Sequence, residues 1–498
     1  MFNKKIFLNK HIFFLIFINL IFFFITFNNP WTFDDYGYIH AAKLYNLIND
    51  QILTLEPFYF YSEYGFDGLN RYMPIYYLLN QLLPDTNILF HFVIVLFHTI
   101  TSIIIFFIAK KIFTRLDLAF LLSAYYALNY SVSIKALSWN IFYGHVVAAL
   151  FGFSAILILI LYFEKAEKKI IFIACYNLLA SLAFLTTESG LIFPILGYLI
   201  IIFFISKKNI LKRSVVILFP LIIFISLLYF KTGKVLPLLE ARINQQTQAN
   251  YAKLLNPENK NKFYFYRSTY APRNFETYII RGFDNLITSF NISSIEKVIK
   301  HYDKKNYIKS HLYNHLYIYI LLILFFSILL IIFLGKNKKN YNDLREFKTT
   351  LTLYLVVFLI YTIIFFRRDI GFGLSFCAGL LIVNLYKSLE KNKIKNFYNY
   401  FFIILCFPSI LYGSTFFSYW GEDWGPRSKM IINAKEVKLQ TKNQKIIYKH
   451  KDSIDYKNYY YYINFDYYKK HLKNLYSGKS FTEFQKMLAQ DNAIFKGK

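Results

Sequence analysis

Cysteine is scarce in this sequence: the 498 residues include only Cys175, Cys377 and Cys406, and all three lie inside apolar segments. This scarcity excludes a disulfide framework and a cysteine-based zinc cluster, and it predicts packing roles for the three side chains. No period of 20 to 50 residues recurs, so a repeat architecture is not expected. The Asn-Asn-Pro-Trp sequence at 28–31 lacks the small residues of a signal-peptide cleavage site. We therefore expect the first apolar segment to be a retained membrane span.

Acidic residues are also few, with 29 Asp and Glu against 57 Lys and Arg, which gives a formal net charge of +28. The basic residues fall in short runs between apolar segments rather than on one amphipathic face. Membrane topology explains this distribution better than nucleic acid, and we expect no nucleic-acid partner. Apolar residues make up 56% of the chain, more than one soluble core could hide, so part of this surface must face lipid.

Runs of roughly 20 apolar residues predict helices that cross a bilayer, because a helix pairs its backbone polar groups internally. We predict an all-α polytopic membrane protein with about eleven transmembrane helices. The predicted spans lie near residues 11–27, 88–109, 117–134, 141–163, 170–187, 190–206, 214–230, 313–334, 349–366, 370–386 and 397–417.

The short loops that alternate between these spans set the predicted orientation. One set of loops is basic, as expected on the cytoplasmic side, and it includes Lys110-Lys111, 165–169, 207–213, 336–348 and 387–395. The N-terminus is then cytoplasmic. A transmembrane domain over 1–417 carries two large outer loops, 28–87 and 231–312. The tail at 418–498 is outside as well, either as a small domain or as a membrane-surface appendage.

Asp34 and Asp35 stand side by side just after the first span, at the predicted outer surface. A hydroxyl acceptor loses a proton as it attacks an anomeric carbon, so one carboxylate can act as general base while the other orients it or binds a metal. Capping of a surface helix over 36–48 explains the same pair equally well, because Asp is a common N-cap residue.

Three arginines lie at predicted outer ends of apolar segments. Arg71 precedes Pro74 at the start of an apolar stretch, where it either grips a lipid phosphate or snorkels to ordinary headgroups. Arg367 and Arg368 lie between two spans on the face where positive charge is disfavoured. A phosphate site explains them, and so does an exposed hairpin turn in which an Arg pairs with Asp369.

Further ionisable or polar groups occur at outer ends of spans, namely Glu188 and Lys135, the latter near Trp139. Simple exposure at the membrane interface is the alternative explanation. His91 and His98 are seven residues apart on one helical face, and no third metal ligand is evident. We interpret both histidines as packing or hydrogen-bonding residues.

The order of these elements resembles the GT-C superfamily of integral-membrane glycosyltransferases, which includes protein O-mannosyltransferases, aminoarabinose transferases and tetratricopeptide-bearing mannosyltransferases. Acidic residues in the first outer loop are matched by Asp34 and Asp35, and an Arg-Pro element by Arg71 and Pro74. The resemblance extends over roughly residues 10 to 390 and includes further matches. They are His91 with His98, Trp139 with Gly144, Thr187-Glu188 in place of a Lys-Glu pair, and Arg367 to Ser375; Lys135 occupies a position that is often acidic.

The resemblance implies a polyprenyl-phosphate sugar donor, a hydroxyl acceptor on a lipid-linked glycan, lipid or protein, and an active site on the periplasmic face of a bacterial inner membrane. It implies that Asp34 or Asp35 is the base and that Arg71, Arg367 and Arg368 hold the donor phosphate. Glu188, Lys135, His91 and Trp139 would support them. Some relatives need a divalent metal and others do not, which leaves the cofactor open. A flippase of lipid-linked saccharide and a surface-polysaccharide polymerase or ligase are the alternative functions.

Overall fold

The structure, a computed structural model, describes residues 2–26, 58–62, 66–71, 73–83, 87–129, 143–164, 169–205, 210–233, 275–291, 341–365 and 371–389. The predicted surface helix at 36–48, the spans at 313–334 and 397–417, and the tail at 418–498 lie outside the described residues.

Helices form nearly all of the described part of the chain. Their bounds are α1 Phe2–Thr26, α2 Pro74–Leu82, α3 Asn87–Phe113, α4 Leu116–Ala127, α5 Tyr143–Glu164, α6 Lys169–Thr186, α7 Ile192–Ile200, α8 Ile210–Thr232, α9 Phe275–Ser289, α10 Tyr341–Ile360 and α11 Phe372–Leu389. A 3-10 turn at Glu188–Leu191 leads into α7, and π-helical segments at Ile201–Ile205 and Tyr361–Phe365 continue α7 and α10.

A short antiparallel hairpin is the only described element that is not helical. It joins β1 Phe58–Ser62 to β2 Phe66–Arg71, with Phe58 opposite Arg71. The sequence analysis did not predict these strands, although its helical fold class agrees with the other described elements.

Four described helical segments are long and apolar enough to cross a membrane, which identifies a helical membrane protein. They are Ile88–Phe113, Tyr143–Phe163, Glu188–Ile205 and Arg345–Ile363, and they overlap the spans predicted near 88–109, 141–163, 190–206 and 349–366. Shorter apolar helices occur at other predicted spans, among them Ile170–Thr186 and Phe372–Lys387. The total of eleven stays a prediction.

The helix predicted near 117–134 ends earlier, at Ala127. Leu128 leaves the helical conformation with φ −96° and ψ 0°, and the Asn129 side chain turns to another helix, where its Nδ2 donates to the Ser289 carbonyl at 3.0 Å. An apolar run does not reveal this end, because Asn129, the second residue after the helix, bonds to a partner 160 positions away in the chain.

The core of the bundle centres on Phe153 of α5, whose side chain is fully buried. Its ring lies 5.4 Å from Tyr126, 5.2 Å from Phe193 and 5.4 Å from Phe376, measured between centroids. These contacts join α4, α7 and α11 to α5. Next to Phe153, Gly152 lets α5 approach α7 closely, because a β-carbon there would lie 2.1 Å from Cγ of Phe193.

We predict that Gly152→Ala destabilises the protein, since the methyl group must displace the buried Phe193 ring at a cost of about 1–3 kcal/mol. The measurement is the apparent unfolding temperature of detergent-purified protein at a fixed scan rate. Gly282→Ala in α9 is the matched control, because its β-carbon would meet the nearest atom, Cζ of Phe358, at 3.4 Å. Equal unfolding temperatures for the two variants would contradict the close approach of α5 and α7.

Candidate active site at one end of the bundle

The first turns of α2 and α5 pack against each other. Pro74 occupies the first turn of α2, where a missing N–H costs nothing, and Met73 before it is buried. The Tyr143 hydroxyl donates a hydrogen bond to the Tyr76 carbonyl at 3.0 Å. The two rings stack with their centroids 4.7 Å apart, and both tyrosines are buried. This contact places the start of α2 against the start of α5.

Gly144 brings the end of α6 to the same place. A β-carbon on Gly144 would lie 2.7 Å from Cδ2 of Tyr76 and 3.1 Å from Cγ2 of Thr187. Any larger side chain would therefore push α2, α5 and the segment after α6 apart. The sequence analysis places the start of α5 and the end of α6 on the outer side, so this end of the bundle is the predicted outer end.

A polar group that we call the His145 cluster lies beside Gly144 and consists of His145, Thr187, Glu188 and Ser189. Nδ1 of His145 is 2.8 Å from the Ser189 hydroxyl and 3.4 Å from the Thr187 hydroxyl, and the two hydroxyls are 2.6 Å apart. His145 is half-buried, whereas Thr187 and Ser189 are buried. The imidazole is thus held by two hydroxyls at the N-terminal end of α5.

Glu188 begins the 3-10 turn between these two hydroxyl residues. Thr187 is extended, with φ −156° and ψ 152°, and its carbonyl accepts from the Gly190 N–H at 2.9 Å. Glu188 itself is only 6% exposed. Burial of an ionisable carboxyl is costly and is common at functional sites, so Glu188 is a candidate functional residue beside the hydrogen-bonded His145.

The ends of α10 and α11 contact α7 close to this turn. The Gly373 N–H donates to the Tyr361 hydroxyl at 3.1 Å, and a β-carbon on Gly373 would lie 3.3 Å from Cγ1 of Ile192. Ile192 directly follows the 3-10 turn that contains Glu188. The two helix ends that flank Arg367 and Arg368 in the chain are therefore anchored at the end of the bundle that holds the His145 cluster.

Several predicted site residues fall outside the described part of the chain, namely Asp34, Asp35, Lys135, Trp139, Arg367 and Arg368. Arg71 is described through its backbone alone: it ends β2 and leads within three residues to Pro74 of α2. Glu188 is described and belongs to the His145 cluster. The proposed catalytic and phosphate-binding roles thus stay predictions.

The two histidines of α3 contact different neighbours. The buried His91 ring stacks on Phe23 of α1 with centroids 5.9 Å apart. His98 stacks on Tyr126 of α4 at 5.8 Å, and its Nε2 donates to the Ala127 carbonyl at 3.3 Å. Both contacts agree with the packing and hydrogen-bonding roles that the sequence predicted. Within the described ranges, no group of three His, Cys, Asp or Glu residues could hold a metal ion.

His145 is the residue that sequence reasoning missed. It follows Gly144 at the outer end of a predicted span, so the criterion that selected Glu188, an ionisable group at an outer span end, would have selected it too. Tyr76 and Tyr143 gave no such signal, because the sequence contains 44 tyrosines and nothing in the pattern distinguishes these two.

No protein-family model matches the sequence, and no curated protein matches it. Among solved structures, the chain is similar to the crystal structure of the oligosaccharyltransferase of Archaeoglobus fulgidus in complex with zinc and sulfate. The TM-score is 0.44 and the sequence identity is 10%, over 91% of this chain and 61% of the archaeal chain. A similarity of this size does not establish a shared activity.

Proposed function

We propose that this chain is a glycosyltransferase that moves a sugar from a polyprenyl-phosphate carrier to a hydroxyl on a lipid-linked glycan, a lipid or a protein. The reaction takes place on the periplasmic face of a bacterial inner membrane. The observation that supports this proposal most is the meeting of Pro74, Gly144 and Thr187-Glu188 at one end of the bundle. These segments are far apart in the sequence, and each matches part of the GT-C pattern.

The proposed reaction inverts the anomeric carbon. The acceptor oxygen attacks this carbon while the bond to the phosphate oxygen breaks, and the phosphate leaves with the electron pair. Asp34 or Asp35 takes the proton of the acceptor hydroxyl. Negative charge on the phosphate grows as the bond breaks, so Arg71, Arg367 and Arg368 stabilise the transition state more than the bound donor.

The His145 cluster supports this reaction from the helix ends. Its hydrogen bonds fix the turn that carries Glu188, and Gly144 fixes the distance between this turn and the start of α2. Since α2 follows Arg71 after only two residues, the same packing limits where the phosphate-binding arginine can lie. Lys135, Trp139 and His91 are assigned supporting roles on the resemblance alone.

We predict that Asp34→Asn and Asp35→Asn lower sugar transfer, and that the residue acting as base loses about 10²–10⁴-fold because an amide cannot accept the proton. The assay uses membranes and a panel of radiolabelled polyprenyl-phosphate-linked hexoses and pentoses. Asp117→Asn is the matched control, because this carboxylate lies at the opposite end of the bundle, is 51% exposed and pairs with Arg115 at 2.5 Å.

Wild-type transfer in both single variants and in the double variant would remove the two aspartates from the mechanism. Competition with polyprenyl-diphosphate sugars separates the proposed donor from that of a polymerase or ligase. Flux of lipid-linked sugar in proteoliposomes without any glycosylated product would identify a flippase instead.

We predict that His145→Ala lowers the rate of transfer about 10- to 100-fold, because losing the 2.8 Å contact with Ser189 releases the turn that positions Glu188. His145 acts here as a positioning residue, so the loss should appear in kcat rather than in KM for the donor. His145→Asn keeps a polar group that can reach Ser189 and should restore part of the rate.

Ser154→Ala on the same helix is the control for His145, because within the described part of the chain the Ser154 hydroxyl bonds to the Leu150 carbonyl of its own helix, at 2.7 Å. If His145→Ala and Ser154→Ala have the same kcat, or if His145→Asn is as slow as His145→Ala while all variants share one unfolding temperature, the positioning role is wrong.

A further inference from the structure

Helix α9 places its polar side against the protein and its apolar side outward. Six of its polar side chains are at most 6% exposed, namely Thr277, Arg281, Asp284, Asn285, Thr288 and Ser289. Three apolar side chains spaced four residues apart are exposed instead, with Phe275 at 81%, Ile279 at 41% and Phe283 at 36%. A helix on a water-exposed surface has the opposite arrangement, because water solvates polar groups and disfavours apolar surface.

The exposed side of α9 continues the exposed side of α10. Gly282 lies next to Phe358, and Asn285 Nδ2 donates to the Thr362 hydroxyl at 3.2 Å, so the two helices pack side by side. On α10 the exposed apolar side chains again repeat every four residues, at Leu355, Leu359 and Ile363. Because α10 and the π-helical segment that continues it contain the candidate membrane span Arg345–Ile363, this shared surface is of the kind that faces lipid.

The contacts between α9 and α10 also give the depth that α9 reaches. The Ser289 hydroxyl, at the C-terminal end of α9, is 3.0 Å from the Tyr354 hydroxyl, whereas Asn285 contacts Thr362. The helices are therefore antiparallel, and α9 runs inward from the end of α10 that leads to Arg367. Tyr354 is the central residue of the 19-residue span Arg345–Ile363. The C-terminal end of α9 is thus level with the middle of a membrane span.

A helix that ends inside hydrocarbon needs partners for its last carbonyl groups. The Ser289 carbonyl of α9 accepts from Asn129 Nδ2 at 3.0 Å and from the Tyr125 hydroxyl. In return, Asn291 Nδ2 donates to the Leu128 carbonyl after α4 at 3.4 Å. The 12-residue α4 is about 18 Å long and the 15-residue α9 about 22 Å, so each is shorter than a bilayer core of about 30 Å. The asparagine that follows α4 thus caps α9, and the asparagine that follows α9 caps α4.

From these four observations we infer that α9 is embedded in the membrane as a half-span that enters from the outer side, with Phe275, Ile279 and Phe283 in contact with lipid hydrocarbon. Its opposite side, with Arg281 and Asp284, faces the interior of the bundle. The helix lies within the 231–312 segment that the sequence assigns to the outer side. A half-span that enters and returns on the same side keeps that topology, and the inference does not depend on sugar transfer.

The test is site-directed spin labelling of the full chain in liposomes of phosphatidylglycerol and phosphatidylethanolamine. Single cysteines replace Phe275, Ile279 or Phe283 after Cys175, Cys377 and Cys406 are changed to Ala. Oxygen partitions into hydrocarbon and a nickel chelate into water, so their collision rates with the label report which medium it contacts. We expect the oxygen-to-nickel ratio at all three positions to lie far above that of a water-exposed label, and to increase from 275 to 283 toward the value at Leu355 and Leu359.

Glu346→Cys provides the water reference, because Glu346 is an exposed residue at the opposite end of α10, paired with Lys387 at 2.6 Å. A ratio on α9 as low as that at Glu346 would show that the face is in water. Low collision rates with both reagents would show that protein covers it, from a second copy or from another part of the chain. Either result overturns the inference, provided that the cysteine-free chain and each labelled variant keep the unfolding temperature of the wild type.

Discussion

The absence of water from the hydrocarbon core is the constraint on which this structure depends. Every backbone and side-chain polar group at that depth must bond within the protein, which is why the described part of the chain is almost entirely helical. The same constraint explains the mutual capping of α4 and α9. Asn129 and Asn291 are both fully buried, and each amide donates to a carbonyl at or beside the end of the other helix. Two short helices become compatible with the bilayer because they end against each other.

Close packing of small residues then determines what lies at the outer end. Lipid gives helices little hydrophobic reason to associate, so packing density and hydrogen bonds hold the bundle together. Gly152 lets α7 approach α5, and α7 begins directly after the turn that carries Glu188. Gly144 fixes the other side of this turn against Tyr76. The His145 cluster is therefore positioned by contacts in the bundle.

Sequence reasoning located helices where an apolar run decides the structure, as at Ile88–Phe113 and Tyr143–Phe163. It failed where the structure depends on contacts between residues that are far apart in the sequence. The second residue after α4 bonds to Ser289, which no apolar run reveals. Helix α9 is too short and too polar to be recognised as a span from its sequence. Its polar side chains are accommodated by contacts with Tyr354 and Thr362, which lie far away in the sequence. For the site, the sequence selected Glu188 from its position at a span end. It missed His145, whose role depends on a contact with Ser189, 44 residues later in the chain.

The buried polar side of α9 places two ionisable side chains in the interior of the bundle. Arg281 is 3% exposed and Asp284 is 6% exposed on the same side of the helix. Burial of charged groups carries a desolvation cost that apolar residues of similar volume do not have, so packing alone does not favour ionisable residues here. Ionisable residues at membrane depth are therefore a mark of function. Both lie near the middle of α9, between the level of Tyr354 and the end of α10 that leads to Arg367. A transferase that receives an anionic lipid carrier from the bilayer needs positive charge at this level, so the proposed function accounts for an arginine that packing alone does not require.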